Sequence, residues 1–376
     1  MTREEAMATR LQNQQLSDSL FEKPEDIVGW FGMMQAQDYR QFKWAIGMRM
    51  KAPSREVVTS SFTSGNIIRL HLLRCTVQVV TAHDYPWMLD LCKERNLSTI
   101  KSWPSYNKTS FSEQYFQEAT EVLKHILYIK HSLTKKGIGE ELSKLGIPCD
   151  TAHLNQLLFR NEIEGVLVSG DLKENNATWA LAETKLSKVN ARSSHHLHLS
   201  TDEALSLLAH KYFRSHSPAT FEDFCWWTGL PISQNRRALQ LIAADLEEIN
   251  VESQNMFVYK PLSLVSHNVN NIVAGSKPDN LNKALVLLPP YDEYLIGYKS
   301  RWVALKKEHE PKAHNNFGIF HPVILYKGQV VGNWKLSTKK GAKVIDTDVF
   351  SRKREIGIIA LEKTKNALQE FYVQHK

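Results

Sequence analysis

The chain repeats itself. From Thr134 it reads TKKGIGEELSKLGIPCDTAHLNQLLFRNEIEGVLV, and from Ser217 it reads SPATFEDFCWWTGLPISQNRRALQLIAADLEEINV, the two aligning without a gap at an offset of 83 residues. Gly146-Ile147-Pro148 falls on Gly229-Leu230-Pro231, and Leu158, Ile163, Val166 and Val168 fall on Leu241, Leu246, Ile249 and Val251. A repeat of this kind organises the middle of the chain as tandem copies of one supersecondary unit.

Each copy spells the same order of elements. A helix comes first, over Gln117–Lys130 or Thr201–Arg214. A polar start signal, Thr134 or Thr220, opens a second short helix that a Gly-x-Pro turn ends, and Thr151 or Ser233 opens a third. Two strands around a polar turn follow, at Val166–Ser169 and Trp179–Ala182, and at Ile249–Glu252 and Met256–Tyr259. Three helices and a two-stranded wing make the winged variant of the helix-turn-helix. A more divergent third copy is expected in the first 105 residues, with helices near 3–15, 24–34, 41–50 and 54–63 before the β-rich runs 67–72 and 76–81, and a further helix from Asp84.

After Lys283 the texture turns to strands, with turns at Lys327-Gly328 and Lys340-Gly341 and a closing helix over about Arg354–Val373. The expected fold is therefore α+β. Three tandem winged helices (1–105, 106–190 and 199–262) precede a small basic β-barrel with its helix (280–376). The charge follows this division. The last 94 residues hold 17 Lys+Arg against 9 Asp+Glu, a net of +8, and the remainder holds 30 against 31. Such a field suits a polyanion.

Tandem winged helices favour nucleic acid, although winged helices also dock proteins. Candidate groove-facing residues on the third helices are Asn155, Gln156 and Arg160 in one copy and Gln234, Asn235, Arg236 and Arg237 in the other. The four cysteines, Cys75, Cys92, Cys149 and Cys225, form no C-x-x-C pair, which suits free thiols in a reducing cytoplasm. No apolar run reaches transmembrane length, and the N-terminal stretch lacks an apolar signal core. The histidines His195, His196 and His198 lie in a Ser-rich linker without the acidic or cysteine partners a metal site needs. No metal or cofactor is expected.

One junction stands apart. In GMMQAQDYRQFKWA, Gln35 and Gln37 flank one alanine between two apolar helical runs. Two amides at a rigid corner can hold one small object, such as a water or a sugar edge, or they can cap helix ends.

Five segments in the same order resemble those of the AlkZ/YcaQ-type winged-helix DNA glycosylases. The Q-x-Q signature is Gln35-Ala36-Gln37, and the first-wing pattern R-x-x-x-x-R-G-T-x-H is Arg69 to Gln78. The others are SPATFEDFCWWTGL (Ser217–Leu230), LLPPYDEYLIGY (Leu287–Tyr298) and GQVVGNW (Gly328–Trp334). Two positions depart: Cys75 stands for the glycine and Gln78 for the later histidine. The resemblance implies three winged helices plus a β-barrel, and hydrolysis of the N-glycosidic bond of alkylated purines in double-stranded DNA. Some members unhook interstrand crosslinks joined through guanine N7, and Q-x-Q members tend to be narrow in substrate.

That chemistry fits glutamines. Alkylation at N7 makes the base a cationic leaving group, so orientation and electrostatics remain the main tasks. Amide oxygens of Gln35 and Gln37 would hold the attacking water and oppose the positive charge developing on the sugar. Asp38 is a candidate base or a helix start. No lysine nucleophile is required, so hydrolysis without strand cleavage is expected. Asp292 and Glu293, in a Pro-Tyr-rich turn, read as fixing the barrel's entrance and not as performing chemistry, Trp226-Trp227 as core and interface packing, and Lys339, Lys340 and Lys343 as a basic hairpin tip that enters a minor groove, clamps phosphate or is merely exposed. The expected protein is a monomeric, cytoplasmic, nucleoid-associated DNA-repair enzyme. The alternatives are a non-catalytic DNA-binding regulator, which would usually dimerise, and a protein-docking scaffold.

Overall fold

The computed structural model describes residues 1–102, 112–147, 149–173, 176–190, 199–260, 285–339, 342–350 and 357–373. In chain order, the first hundred residues hold α1 (Arg3–Asn13), α2 (Pro24–Phe31), β1 (Met33–Gln35), α3 (Phe42–Gly47), α4 (Arg55–Thr63), β2 (Ile67–His71), β3 (Val77–Thr81) and α5 (Tyr85–Lys101). Next come α6 (Glu113–Lys130), β4 (Leu133–Thr134), α7 (Lys135–Lys144), α8 (Thr151–Ile163), β5 (Leu167–Ser169), β6 (Thr178–Leu181) and α9 (Ala182–Asn190). Then follow α10 (Thr201–His216), α11 (Phe221–Thr228), α12 (Ile232–Leu241), β7 (Leu246–Val251) and β8 (Gln254–Tyr259). The last part holds β9 (Leu285–Leu288), α13 (Glu293–Ile296), α14 (Glu310–Ala313), β10 (Val323–Tyr326), β11 (Gln329–Lys339), β12 (Ala342–Val349) and α15 (Ile358–Val373). The result is a mixed α/β fold of two units: residues 1–34, 41–58 and 205–376 form one, and 35–40 and 59–204 the other.

The repeat is visible in the caps. Thr134 accepts from the Gly137 N–H at the start of α7. Thr220 accepts from the Asp223 N–H at the start of α11, and the Asp223 carboxylate returns the bond to the Thr220 N–H. Gly146 and Gly229, matched by the repeat, both take positive φ, 81° and 63°, where a side chain would be strained. The third helices start differently from the expectation. Asp150, not Thr151, caps α8, because its carboxylate reaches the N–H groups of both Ala152 and His153. Pro231 precedes α12, and Ser233 lies inside it. Pro148 lies outside the described residues.

In the unit of residues 35–40 and 59–204, α6, α7 and α8 converge on Phe116, Leu123, Leu127, Ile138, Leu142 and Leu157, closed by Leu167 and Leu181 from β5 and β6. The sheet there runs β4–β6–β5, all antiparallel. In the other unit, α10 and α11 bury Tyr212, Phe213, Phe224 and Trp227, and β7 pairs with β8 over six residue pairs. The region after Leu285 forms a four-stranded antiparallel sheet in the order β12–β11–β10–β9. The expected barrel is not closed among the described residues. The helix α15 covers the apolar face instead, packing Leu361, Leu368, Phe371 and Tyr372 on Leu285, Leu287, Ile324, Trp334 and Ile345.

The LLPPYDEYLIGY segment is an internal anchor. Asp292 takes a two-pronged bond from Arg49, both contacts 2.8 Å, with the side chains 2% and 0% exposed. Glu293 accepts from the Trp227 indole at 3.1 Å and lies 3.4 Å from the His216 ring nitrogen. Burial pushes the pKa of His216 below the usual histidine value against the pull of Glu293, and burial likewise lowers His210 and His314. Their folded pKa values are depressed, so the unfolded chain takes up protons first as pH falls through about 6.5. The unfolding temperature is therefore expected to be highest above neutrality and to drop between pH 7 and 5.5. A flat profile across that window would contradict the neutral state of these rings.

Candidate functional site

The Gln35–Arg40 segment is a built corner, held by its own unit. Neither glutamine caps a helix: Gly32, at φ 84°, ends α2, and Gln41 precedes α3 without a side-chain cap bond. Gln35 is 4% exposed, whereas Gln37 is exposed and Asp38 half-buried. The Asp38 carboxylate accepts from the Arg40 N–H at 2.9 Å, so it forms a turn and starts no helix.

The peptide between the two glutamines is pinned on both sides. The Ala36 N–H donates to the Val77 carbonyl at 2.9 Å, and the Ala36 carbonyl accepts from Arg69 Nε at 3.0 Å. Arg69 lies 5.3 Å from the Tyr39 ring centre, and the Tyr39 hydroxyl donates to the Lys173 carbonyl at 2.8 Å. Burial lowers the pKa of Arg69, while Glu162, Tyr39 and Asp38 favour its charge. In the sequence, Arg69 and Thr76 are marked only by the motif that contains them. Their spacing on the β2–β3 hairpin was the available signal, since Arg69 pairs with Val79 in the register that carries Val77 to Ala36.

Thr76 joins the corner to the hairpin. Its Oγ1 accepts from Gln35 Nε2 at 3.3 Å and from Gln78 Nε2 at 3.1 Å, and donates to the Leu73 carbonyl at 3.2 Å. Gln78 Nε2 also donates to that carbonyl at 3.2 Å. The link from β2 to β3 is tight, with Arg74 and Cys75 both left-handed at φ 60° and 54°. That conformation costs an L-residue about 1–2 kcal/mol, which accounts for the glycine of the R-G-T pattern. Cys75 occupies it with its Sγ 3.2 Å from Asn96 Oδ1.

Beside the hairpin, Glu162 receives the His71 N–H at 3.0 Å, the His71 ring at 2.6 Å and the Trp179 indole. Burial opposes its charge, yet these partners hold its pKa below the usual carboxylate range. Burial also raises the thiols, Cys75 to about 11 and Cys92 to about 12. At pH 8 both stay protonated in the folded protein. A thiol-specific disulfide reagent is expected to spare Cys75 and Cys92 until denaturant is added, after which all four cysteines react. Reaction of Cys75 in the native state would show that the hairpin opens, and reaction of Cys92 that α5 lifts away.

The proposed DNA contacts separate. Arg160 is spent internally: it is bonded to Glu113 at 2.6 and 2.8 Å and to Glu164 at 2.7 Å, and lies over the Phe116 ring. Asn235 is fully buried, accepting from Thr228 at 2.7 Å and donating to the Leu230 carbonyl at 3.0 Å. The polar atoms of both already serve the fold, and for the fully buried Asn235 the groove-facing expectation is corrected. Gln156 is buried as well. Asn155 is exposed and accepts from Lys135. On α12, Arg236 and Arg237 are exposed and Gln234 half-exposed. On the β11–β12 hairpin, Lys339 is exposed and shared with Asp346 at 3.1 Å, and Lys343 is half-exposed. Lys340 and the His195, His196, His198 cluster lie outside the described residues. Among the described residues, no group of three His, Cys, Asp or Glu could hold a metal, and no helix is long and apolar enough to cross a membrane.

With this geometry in place, three comparisons agree. A family model described as "DNA glycosylase AlkZ-like" matches residues 28–371. The chain is 23% identical over 350 residues to an "Interstrand DNA cross-link repair glycosylase" of Streptomyces sahachiroi, covering 88% of this chain and 87% of that protein. The solved structure titled "Streptomyces sahachiroi DNA glycosylase AlkZ" aligns with a TM-score of 0.72 at 21% identity, covering 99% of this chain and 96% of that one.

Proposed function

The chain belongs to the AlkZ-like DNA glycosylase family, and from that premise we propose that it excises alkylated purines of the N7-alkylguanine type, interstrand crosslinks among them, by hydrolysis at Gln35 and Gln37. The observation that carries this reading is the Gln35-Ala36-Gln37 corner. Its backbone is held by Val77 and Arg69, and neither glutamine stands at a cap position of α2 or α3. A preorganised pair of amides suits a reaction whose leaving group is already activated. The protein has to place a water and to oppose positive charge on the sugar, and each such contact is worth about 3 kcal/mol.

The remaining modules are read as DNA-binding elements. In this reading α6–α8 with β5–β6, and α10–α12 with β7–β8, are winged helices, and residues 1–105 hold a third. The phosphate contacts are assigned to the exposed Asn155, Arg236 and Arg237 with Gln234, to Lys339 and Lys343 of the β11–β12 hairpin, and, from the sequence alone, to Lys340. The protein works as a monomer on duplex DNA in a reducing cytoplasm.

The test is release of free base from a duplex carrying N7-methylguanine, and unhooking of a duplex crosslinked through guanine N7, each followed by gel analysis for strand breaks. Base release with intact strands is expected. Tight, salt-sensitive binding with release from neither substrate would favour a DNA-binding regulator instead.

A further inference from the structure

We infer that Thr76 and Gln78 are positioning residues that fix which way the Gln35 amide points. This rests on the reading of Gln35 as a water-holding amide. An amide side chain can turn its oxygen and nitrogen through 180°, and only its neighbours decide between the two.

The decision starts at the backbone. The Leu73 carbonyl can only accept, so the Gln78 atom 3.2 Å from it is the NH2 group. The same nitrogen lies 3.1 Å from Thr76 Oγ1, which therefore accepts there. The single Thr76 hydroxyl proton is directed to the Leu73 carbonyl at 3.2 Å. With the proton so placed, Thr76 Oγ1 accepts from Gln35, and the atom 3.3 Å away is Nε2. The Oε1 atom of Gln35 is then turned away from Thr76. A flipped Gln35 would have to draw the Thr76 hydroxyl proton away from the Leu73 carbonyl. The hairpin thus presents an acceptor, the polarity that receives a proton from water and faces a cationic sugar.

Gln78 is costly to keep for packing alone. It is fully buried, and its Oε1 has no hydrogen-bond partner among the described residues. A buried acceptor left unmet lowers stability. Its position is also the one where the R-x-x-x-x-R-G-T-x-H pattern carries histidine, whose ring N–H is another donor suited to the Leu73 carbonyl.

The experiment combines 15N–1H spectra of the side-chain amides with single-turnover release from the N7-methylguanine duplex. The variants are Thr76→Val, Thr76→Ser and Gln78→Met, with Gln35→Ala to assign the Gln35 resonances. The Gln35 amide protons are expected to shift in Thr76→Val and Gln78→Met and to stay near their wild-type position in Thr76→Ser, which keeps the hydroxyl. The maximal rate is expected to fall on the order of 100-fold in the first two, with half-saturating DNA unchanged, the unfolding temperature of Gln78→Met not lowered, and activity kept in Thr76→Ser. Unmoved Gln35 resonances would overturn the inference, and so would rate losses that track weaker DNA binding or lower unfolding temperature. Wild-type excision by Gln35→Ala would instead remove the reading of Gln35, while the resonance shifts still decide its orientation.

Discussion

Gln37→Ala is expected to lower base excision by about 100- to 1,000-fold while leaving the unfolding temperature unchanged. Gln37 is exposed, and among the described residues its amide makes no hydrogen bond, so truncation removes nothing the fold uses. Gln35→Ala is expected to lose excision to a similar extent with a different side effect. Its side chain is 4% exposed and bonded to Thr76, so the variant also loses about 1–2 kcal/mol of stability. The pair of measurements therefore separates chemistry from packing. Single-turnover excision reads the first, and thermal unfolding reads the second. Near-wild-type excision by Gln37→Ala would sink the two-amide mechanism. Asp38→Asn adds a control, because asparagine keeps an acceptor for the Arg40 N–H. A turn-forming Asp38 predicts retained activity, whereas a general base predicts its loss.

Local signals proved readable where one residue type has one local use. Thr134 and Thr220 cap the helices they were expected to start, and Gly146 and Gly229 take the left-handed turns that end them. The strand runs at 67–72 and 76–81 appear as β2 and β3 with in-register pairing. Reach, by contrast, was invisible. Arg160 carries the same formal credentials as Arg236, yet two carboxylates, one of them 47 positions away, absorb it. Asn235 looked like a base reader and is the knot of the turn after α11, because Thr228 and Leu230 sit beside it only once the helices have packed. The expected barrel is not closed among the described residues for a related reason. Strand periodicity reports a half-buried face without saying whether a strand or the helix α15 will cover it. At the corner, the Q-x-Q motif located the amides, but the support from Arg69 and Thr76 needed the hairpin register.

The second large effect lies far from any reacting group. Asp292→Ala is expected to destabilise the unit that holds it by about 3–5 kcal/mol, seen as an unfolding transition about 10 °C lower. Both prongs of Arg49 end on this carboxylate, and Arg49 is fully buried, so the variant strands a guanidinium without its counter-charge. The same carboxylate accepts from the Tyr294 N–H at 3.0 Å, so the start of α13 is loosened as well. Arg49 keeps bonds to the carbonyls of Gln14 and Ala45, at 3.0 and 2.7 Å, but neutral oxygens do not replace a charge. Removing both charges should hurt less. The double variant Arg49→Met, Asp292→Leu is expected to recover most of the loss, because an apolar pair in place of a buried ion pair is often close to neutral. If Asp292→Ala unfolds at the wild-type temperature, the buried ion pair is not what anchors the LLPPYDEYLIGY segment. If the double variant is as unstable as the single one, the cost lies in the lost helix cap and packing and not in the stranded charge.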